Sequence, residues 1–418
     1  MLVLALLGTG CGGDDETVPD DASDAPSTVD AVAVAERTEP DQDTDPHLAG
    51  DPMLGFGADL LSAVARDADD STNVIVSPAS VATALAMLEP GTVDEATTQL
   101  ADLLGIEDPD TYHAAMNALE QSLEGRDPGD SGDLTLRIAN AAYLQQGYPF
   151  EPAYLDTVGR YYGPVLNEVD FSTDPDAVAD EINQWVADET EDRITDLIPD
   201  GTLTVDTVLA LVNALYLNAS WLDPFPADQT ADDAFTRLDG SVVTMPLMHG
   251  SGDGSAGGDG WVAATKAYVG GLAAQFVLPD DGRFEEVASD LPAAFADLDA
   301  SVAGGGETAA PRFETTTEAG LNEPLQSLGL TAPFEGGYLL GIADEPSLAV
   351  TDVLHQTYVA MDEEGTEAAA ATAVIIGETS APAGEPISVV LDRPFLFRIV
   401  DTHTGATLFL GRIMDPTA

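Results

Sequence analysis

The chain carries five histidines, His47, His113, His249, His355 and His403, its natural supply of side chains that trade a proton near neutral pH. Serine-based nucleophilic catalysis needs one of them beside a nucleophile, with a third group to orient it. His47 lies in an acidic N-terminal stretch, while His113, His249 and His403 sit in polar helix or loop contexts, and no Gly-x-Ser-x-Gly turn is present. Only His355 follows an apolar run (Leu348, Val350, Val353, Leu354), where a histidine taken alone reads as a core residue with its hydrogen bonds satisfied. The sequence has no HExxH helix motif, no paired cysteines and no phosphate-cradling glycine loop. The glycine–aspartate stretch 249–260 lacks the alternating ligands and closing glutamate of a calcium loop and reads as flexible and solvated. These residues point away from an enzyme, and no cofactor and no metal is expected.

What the sequence offers instead is a segment on which chemistry could be done, residues 361–386, MDEEGTEAAAATAVIIGETSAPAGEP. Its local preferences conflict. Ala368 to Ala371 favour helix, Val374 to Ile376 favour strand, and Ser380 to Pro386 favour an open loop. About twenty-five such residues, followed directly by the strand-like Ile387-Ser388-Val389-Val390, suggest a functional loop. We read it as a protease bait that can become a strand, with the rest of the chain built to receive it.

The bulk composition bounds the partners. With 13 Lys plus Arg against 75 Asp plus Glu, the 418 residues carry a net charge of −62, and Lys266 is the only lysine. Such a surface repels nucleic acid and anionic lipid headgroups. It fits a protein from a salty environment or one coded by GC-rich DNA. A hydrophobic share of 44% supports a sizeable core. Cys11 is the only cysteine, so no intramolecular disulfide exists. It follows MLVLALLGTG, a short apolar run like the tail of a bacterial lipoprotein signal, without a basic front. Residues 1–11 are therefore expected to be a lipoprotein-like or secretory signal with lipidation at Cys11. Residues 12–50, rich in Asp, Glu, Thr, Pro, Ala and Ser, are expected to form a disordered acidic tether. The folded domain is expected over 51–418.

Within that domain, LGFGADLLSAVARDA places Leu54, Phe56, Leu60, Leu61 and Val64 on one helical face. NVIVSPASVATALAMLEPGTVDEATTQLADLLG, residues 73–105, runs from four strand formers into Ser77-Pro78 at a helix start. Residues 177–201 form an amphipathic helix with Ile182, Trp185 and Val186 as its stripe, and end in Thr190-x-x-x-Ile194-x-x-Leu197-Ile198. LALVNALYLNASWLDPF, residues 209–225, is a long apolar strand, and RPFLFRIVDTHTGATLFLGRIMDP, residues 393–416, supplies further strands. In this order the motifs resemble the serpin family, from about Met53 to the end of the chain.

The resemblance implies an α+β serpin fold: three β-sheets, one large central and mixed, eight to nine helices around them, and an exposed reactive-centre loop over about 362–386. It implies that Glu364, Gly365, Thr366, Glu367, Ala368, Ala369, Ala370, Ala371 and Thr372 form the hinge. Once cut, that hinge becomes a central strand, and Thr366, Ala368, Ala370 and Thr372, at period two, are small enough to be buried. A proline or charge among them would block insertion, and Gly365 lets the chain reverse. Ser77, Ser80, Asn213 and His355 would be the shutter, a polar network that can re-form in two sheet arrangements. Trp221 would be the breach, where the loop first enters the sheet.

Counting by the family's hinge length puts the scissile bond at Thr379-Ser380, with Glu378 preceding it and Glu378-Thr379 as the alternative. Threonine there suits elastase-like or subtilisin-like proteases. The partners implied are secreted serine proteases, and more widely cysteine proteases, met by a monomer at or outside a bacterial cell surface. The runner-up function is a non-inhibitory serpin that acts as a carrier or structural surface protein.

Overall fold

The structure, a computed structural model, describes residues 2–7, 35–66, 68–127, 129, 132–301, 304–366 and 387–418. The first half contains β1 (Leu2–Leu7), α1 (His47–Gly50), α2 (Pro52–Ala65), β2 (Val74–Val76), α3 (Pro78–Leu88), α4 (Glu95–Leu104), α5 (Pro109–Glu124) and β3 (Leu134–Gln145). Then come α6 (Pro152–Tyr162), β4 (Val165–Val169), α7 (Pro175–Glu189), β5 (Thr207–Ser220), β6 (Ala231–Thr236), β7 (Val242–Ser251), β8 (Gly254–Gly258) and β9 (Trp261–Ala267). The chain continues through β10 (Leu272–Pro279), α8 (Phe284–Ala288), α9 (Leu291–Asp299), β11 (Glu307–Pro311), β12 (Phe313–Gly320) and α10 (Asn322–Ser327). It ends with β13 (Ala349–Met361), β14 (Gly365–Thr366), β15 (Val389–Val390), β16 (Phe395–Asp401) and β17 (Thr407–Ile413).

Local chemistry sets these boundaries. Proline stands in the first turn of α2, α3, α5, α6, α7 and α9, where its missing N–H costs nothing. Ser77, Asp108 and Asp174 cap α3, α5 and α7 by accepting from Ser80 N, Thr111 N and Ala177 N. Gly105 and Gly163 end α4 and α6 in the left-handed conformation. On α2 the face is Met53, Phe56, Leu60 and Leu61, with Leu54 and Val64 half-buried at its margins. On α7, Ile182 and Val186 are buried while Trp185 packs from the edge.

The described strands form three sheets of seven, six and four strands. The large sheet runs β12, β13, then β1 and β14 in one column, then β5, β3 and β4. Only the β3–β4 pair in it is parallel. β5 is buried along most of its length because both sheet faces are covered, which its apolar run, interrupted at Asn213, anticipates. One face joins the main core with α2 and α3, and the other packs Ala141, Tyr143, Ala210 and Val212 against Val178, Ile182 and Val186 of α7. The second sheet is β2-β17-β16-β10-β9-β8 and the third β15-β11-β7-β6.

Three segments depart from the sequence reading. The tether expected up to residue 50 gives way to docked structure over 35–50. Arg37 bonds Asn117, Glu120 and Glu124 of α5, Thr38 N donates to Arg160 O, and Ala49 and Gly50 are buried. Stretch 249–260, expected as a solvated loop, is mostly strand: β8 pairs with β9, and Ser255 Oγ donates to Gly304 O. Leu2–Leu7, expected as part of a signal, is a strand inside the large sheet.

Candidate functional site

The site lies where β13 ends and turns back between its neighbours. After Met361 the chain reverses through a tight turn in which Asp362 N donates to Gly365 O at 2.9 Å. The Asp362 carboxylate accepts from Glu364 N and Gly365 N, the usual work of aspartate at the first turn position. β14 then pairs antiparallel with β13 (Thr366 to Met361) and with β5 (Gly365 to Ser220, Thr366 to Ala219). Gly365 is needed here for closeness to β5 as well as for the turn: a Cβ would lie 2.0 Å from the Ala219 carbonyl oxygen.

An aromatic cluster fixes this corner. Trp221 stacks on Tyr268 with ring centroids 4.1 Å apart and planes 10° apart, and meets Phe225 edge-on at 6.0 Å. Trp221 Nε1 donates to Asp362 O at 3.0 Å, and Trp221 N donates to Glu364 O at 2.8 Å. The Tyr268 and Thr366 hydroxyls bond each other in the interior. The Glu363 carboxylate accepts from Thr230 Oγ1, and both of its oxygens accept from Arg312. Burial pushes the Glu363 carboxyl up, but the Arg312 and Thr230 bonds outweigh it and hold it below the usual range.

Lys266 closes the cluster from behind. It is fully buried, its Nζ donates to Asp223 O and Ser251 O, and it lies 4.3 Å from the Phe225 ring centroid. Burial pushes its ammonium below the usual lysine range, against Asp253 and Asp223, which pull it up.

Further down the same column, Ser77 N donates to His355 Nε2 at 3.0 Å, and Ser77 Oγ accepts from Ser80 N. Asn213 turns the other way and donates from Nδ2 to Asn140 Oδ1 at 2.9 Å. Among the described residues, Ser80 Oγ and Asn213 Oδ1 are buried without a partner. The reason is β1. Leu2 sits opposite Asn213 on one side and His355 on the other, so β5 and β13 stand two strand spacings apart, about 9.5 Å.

A family model described as serpin (serine protease inhibitor) matches residues 53–416. The chain belongs to the serpin family. An uncharacterized serpin-like protein of Thermococcus kodakarensis is 34% identical over 356 residues, 84% of this chain and 82% of that one. Serpin-Z2A of Oryza sativa subsp. japonica is 31% identical, over 87% of this chain and 97% of its own. Among solved structures, the Arabidopsis AtSerpin1 in its native stressed conformation has a TM-score of 0.76 at 25% identity, covering 90% of this chain and 99% of that chain. Human glycosylated kallistatin has a TM-score of 0.73 at 25% identity, covering 89% and 99%. The fold is the α+β serpin fold of three sheets and surrounding helices, and serpins are generally protease inhibitors rather than enzymes. The relatives named here are archaeal, plant and human, so a bacterial source stays an expectation.

In this serpin the structure places Gly365 and Thr366 between β5 and β13, with Glu364 in the turn before them, Trp221 just past the end of β5, Asn213 on β5, His355 on β13, and Ser77 and Ser80 at the start of α3. It joins Ser77, Ser80 and His355 by hydrogen bonds and leaves Asn213 to Asn140. Cys11, Glu367, Ala368, Ala369, Ala370, Ala371, Thr372, Glu378, Thr379 and Ser380 lie outside the described residues.

A polar cluster behind Asn213 escaped the sequence reading. His113, read as sitting in a polar helix or loop context, is buried, with Nδ1 bonded to Tyr162 Oη at 2.6 Å and Nε2 to the Glu89 carboxylate at 3.0 Å. Glu120 is buried beside it and takes Arg37, Thr83 Oγ1 and Asn140 Nδ2. Burial raises the Glu120 carboxyl to about 7 despite the Arg37 charge, so it holds a proton far more readily than a surface glutamate. Through Asn140 this cluster reaches Asn213, one of the residues expected to form the shutter. The one sequence signal was Arg37, a lone cation among acids.

Proposed function

We propose that this serpin inhibits secreted serine proteases as a suicide substrate, with elastase-like or subtilisin-like enzymes as targets and Thr379-Ser380 as the scissile bond. The protease serine attacks the Thr379 carbonyl, the Thr379–Ser380 bond breaks, and an acyl-enzyme forms with release of a new amine at Ser380. The loop then inserts as a strand before water frees the ester. About fifteen residues at ~3.3 Å each would carry the enzyme on the order of 50 Å. Loop insertion by serpins is a standard example of strand addition and of released strain.

The observation that carries this reading is the position of Gly365 and Thr366. They already lie as a strand between β5 and β13, antiparallel to both, so residues 367–371 would extend that strand as far as the place Leu2 now holds. Supporting it is the run of small residues that follows, Ala368 to Thr372. The apolar segment before Cys11 supports a surface location with lipid attached at that cysteine.

The test is incubation with elastase and subtilisin, followed by denaturing electrophoresis. The expected result is a complex that survives SDS and a released C-terminal fragment starting near Ser380. Cleavage without a covalent complex across a broad protease panel would overturn the reading. A non-inhibitory carrier is the second reading, and one observation favours it: β1 occupies the column that an inserting loop would use.

A further inference from the structure

Following the hinge six residues on from Thr366, whose partners are Ala219 and Met361, brings the loop to Thr372 and both neighbouring strands to Asn213 and His355. Those two residues are the partners of Leu2. Counted independently on β5 and on β13, the register is the same: Leu2, Val3, Leu4 and Ala5 hold the places of an inserted Thr372, Ala373, Val374 and Ile375. Direction agrees as well, because β1 and β14 are both antiparallel to both neighbours. Two strands cannot share one column.

The fit is that of a core strand. Leu2 to Leu6 are no more than 1% exposed, with Leu2, Leu4 and Leu6 in the main core and Val3 and Ala5 in the cluster under α7. Thr351 Oγ1 also donates to Ala5 O. An unbroken apolar run suits a column covered on both faces. The cost shows at the shutter, where Leu2 separates Asn213 from His355 and Asn213 Oδ1 is left without a partner among the described residues.

We infer that β1 is a built-in plug of the insertion column: the N-terminal segment holds the large sheet expanded and denies it to the loop, and removal of that segment arms the protein. Its consequence for inhibition rests on the suicide-substrate reading, while the occupied column does not. A cut ahead of Cys11, the processing expected of a lipoprotein-type leader, takes β1 away whole. The precursor would then form covalent complexes with proteases more slowly than the chain freed of its leader.

Three measurements on the same protein test this. In the full chain, hydrogen exchange at Leu2–Leu7 should be as slow as in β5; exchange at free-peptide rates would overturn the plug. Full-length Leu4→Asp, with a charge in the buried strand, and a chain lacking residues 1–10 should both bind a labelled Leu-Val-Leu-Ala-Leu-Leu peptide that the unaltered chain refuses. Equal peptide binding by all three would also overturn it. Covalent complex formation should be at least about tenfold faster in the two altered chains. Equal rates in all three would overturn the plug and leave the inhibitor reading standing. Peptide binding confined to the altered chains, with no complex from any of them, would uphold the plug and overturn the inhibitor reading.

Discussion

Gly365 runs against Ala219 so closely that a methyl group on its Cα would meet the Ala219 carbonyl oxygen at 2.0 Å. The hinge therefore begins in the sheet only because this position has no side chain. Gly365→Ala should expel β14 from between β5 and β13, at a cost of about 1–3 kcal/mol, a range typical of overpacking. Faster amide exchange at Thr366 and easier proteolysis around residue 364 would report it. Unchanged exchange would show that β5 yields to the extra carbon.

Trp221 performs two separable tasks at the same corner, stacking on Tyr268 and donating to Asp362 O. Trp221→Phe keeps an aromatic ring but leaves the carbonyl without its donor, an expected loss of about 1–3 kcal/mol. Trp221→Ala also opens a cavity, and about 3–5 kcal/mol should be lost. Urea unfolding of the two variants separates the tasks. Equal losses would mean that the hydrogen bond carries the whole effect.

Glu120 makes stability depend on pH in a direction opposite to that of most carboxylates. Its folded pKa, about 7, lies above the ordinary glutamate value of 4.5, so the fold binds the proton more tightly than the unfolded chain does. Its contribution is fully present below about pH 4.5 and is lost as pH rises through 7. Glu120→Gln should flatten this part of the profile between those limits, and denaturation series at several pH values would show it. Arg37→Ala should steepen it, because the guanidinium is what lowers the carboxyl.

Thr366 is 2% exposed, with its hydroxyl bonded to that of Tyr268. Thr366→Arg should convert an inhibitor into a substrate, because a guanidinium has no aqueous exit from this part of the sheet. The number of serpin molecules consumed per protease inactivated should rise at least about tenfold, equivalent to about 1.4 kcal/mol in the partition between insertion and hydrolysis. Undiminished inhibition would mean that insertion does not pass through this position.

How much could be read beforehand follows from how local each signal is. The start of α3 at Ser77-Pro78, the run of β5 and the face of α2 are written in neighbouring residues, and all three stand as read. His113 was misread because its partners, Glu89 and Tyr162, come from other elements and its own helix looks polar. Arg37 likewise acquires meaning only from Glu120, far along the chain. Stretch 249–260 is poor in side chains, and its strand comes from pairing with β9. Leu2–Leu7 is ambiguous in principle, since a short apolar run serves equally as a leader core or as a doubly covered strand. Only the register against Asn213 and His355 shows the strand.

The burial of Lys266 turns the corner around Trp221 into something that can be counted. No other lysine exists, so the α-amino group is the one remaining primary amine of the chain. An amine-reactive dye should leave Lys266 unlabelled in the folded protein and label it in the urea-unfolded protein. Mass spectrometry of dye stoichiometry would then follow the opening of the Trp221–Lys266 corner directly, with no engineered probe.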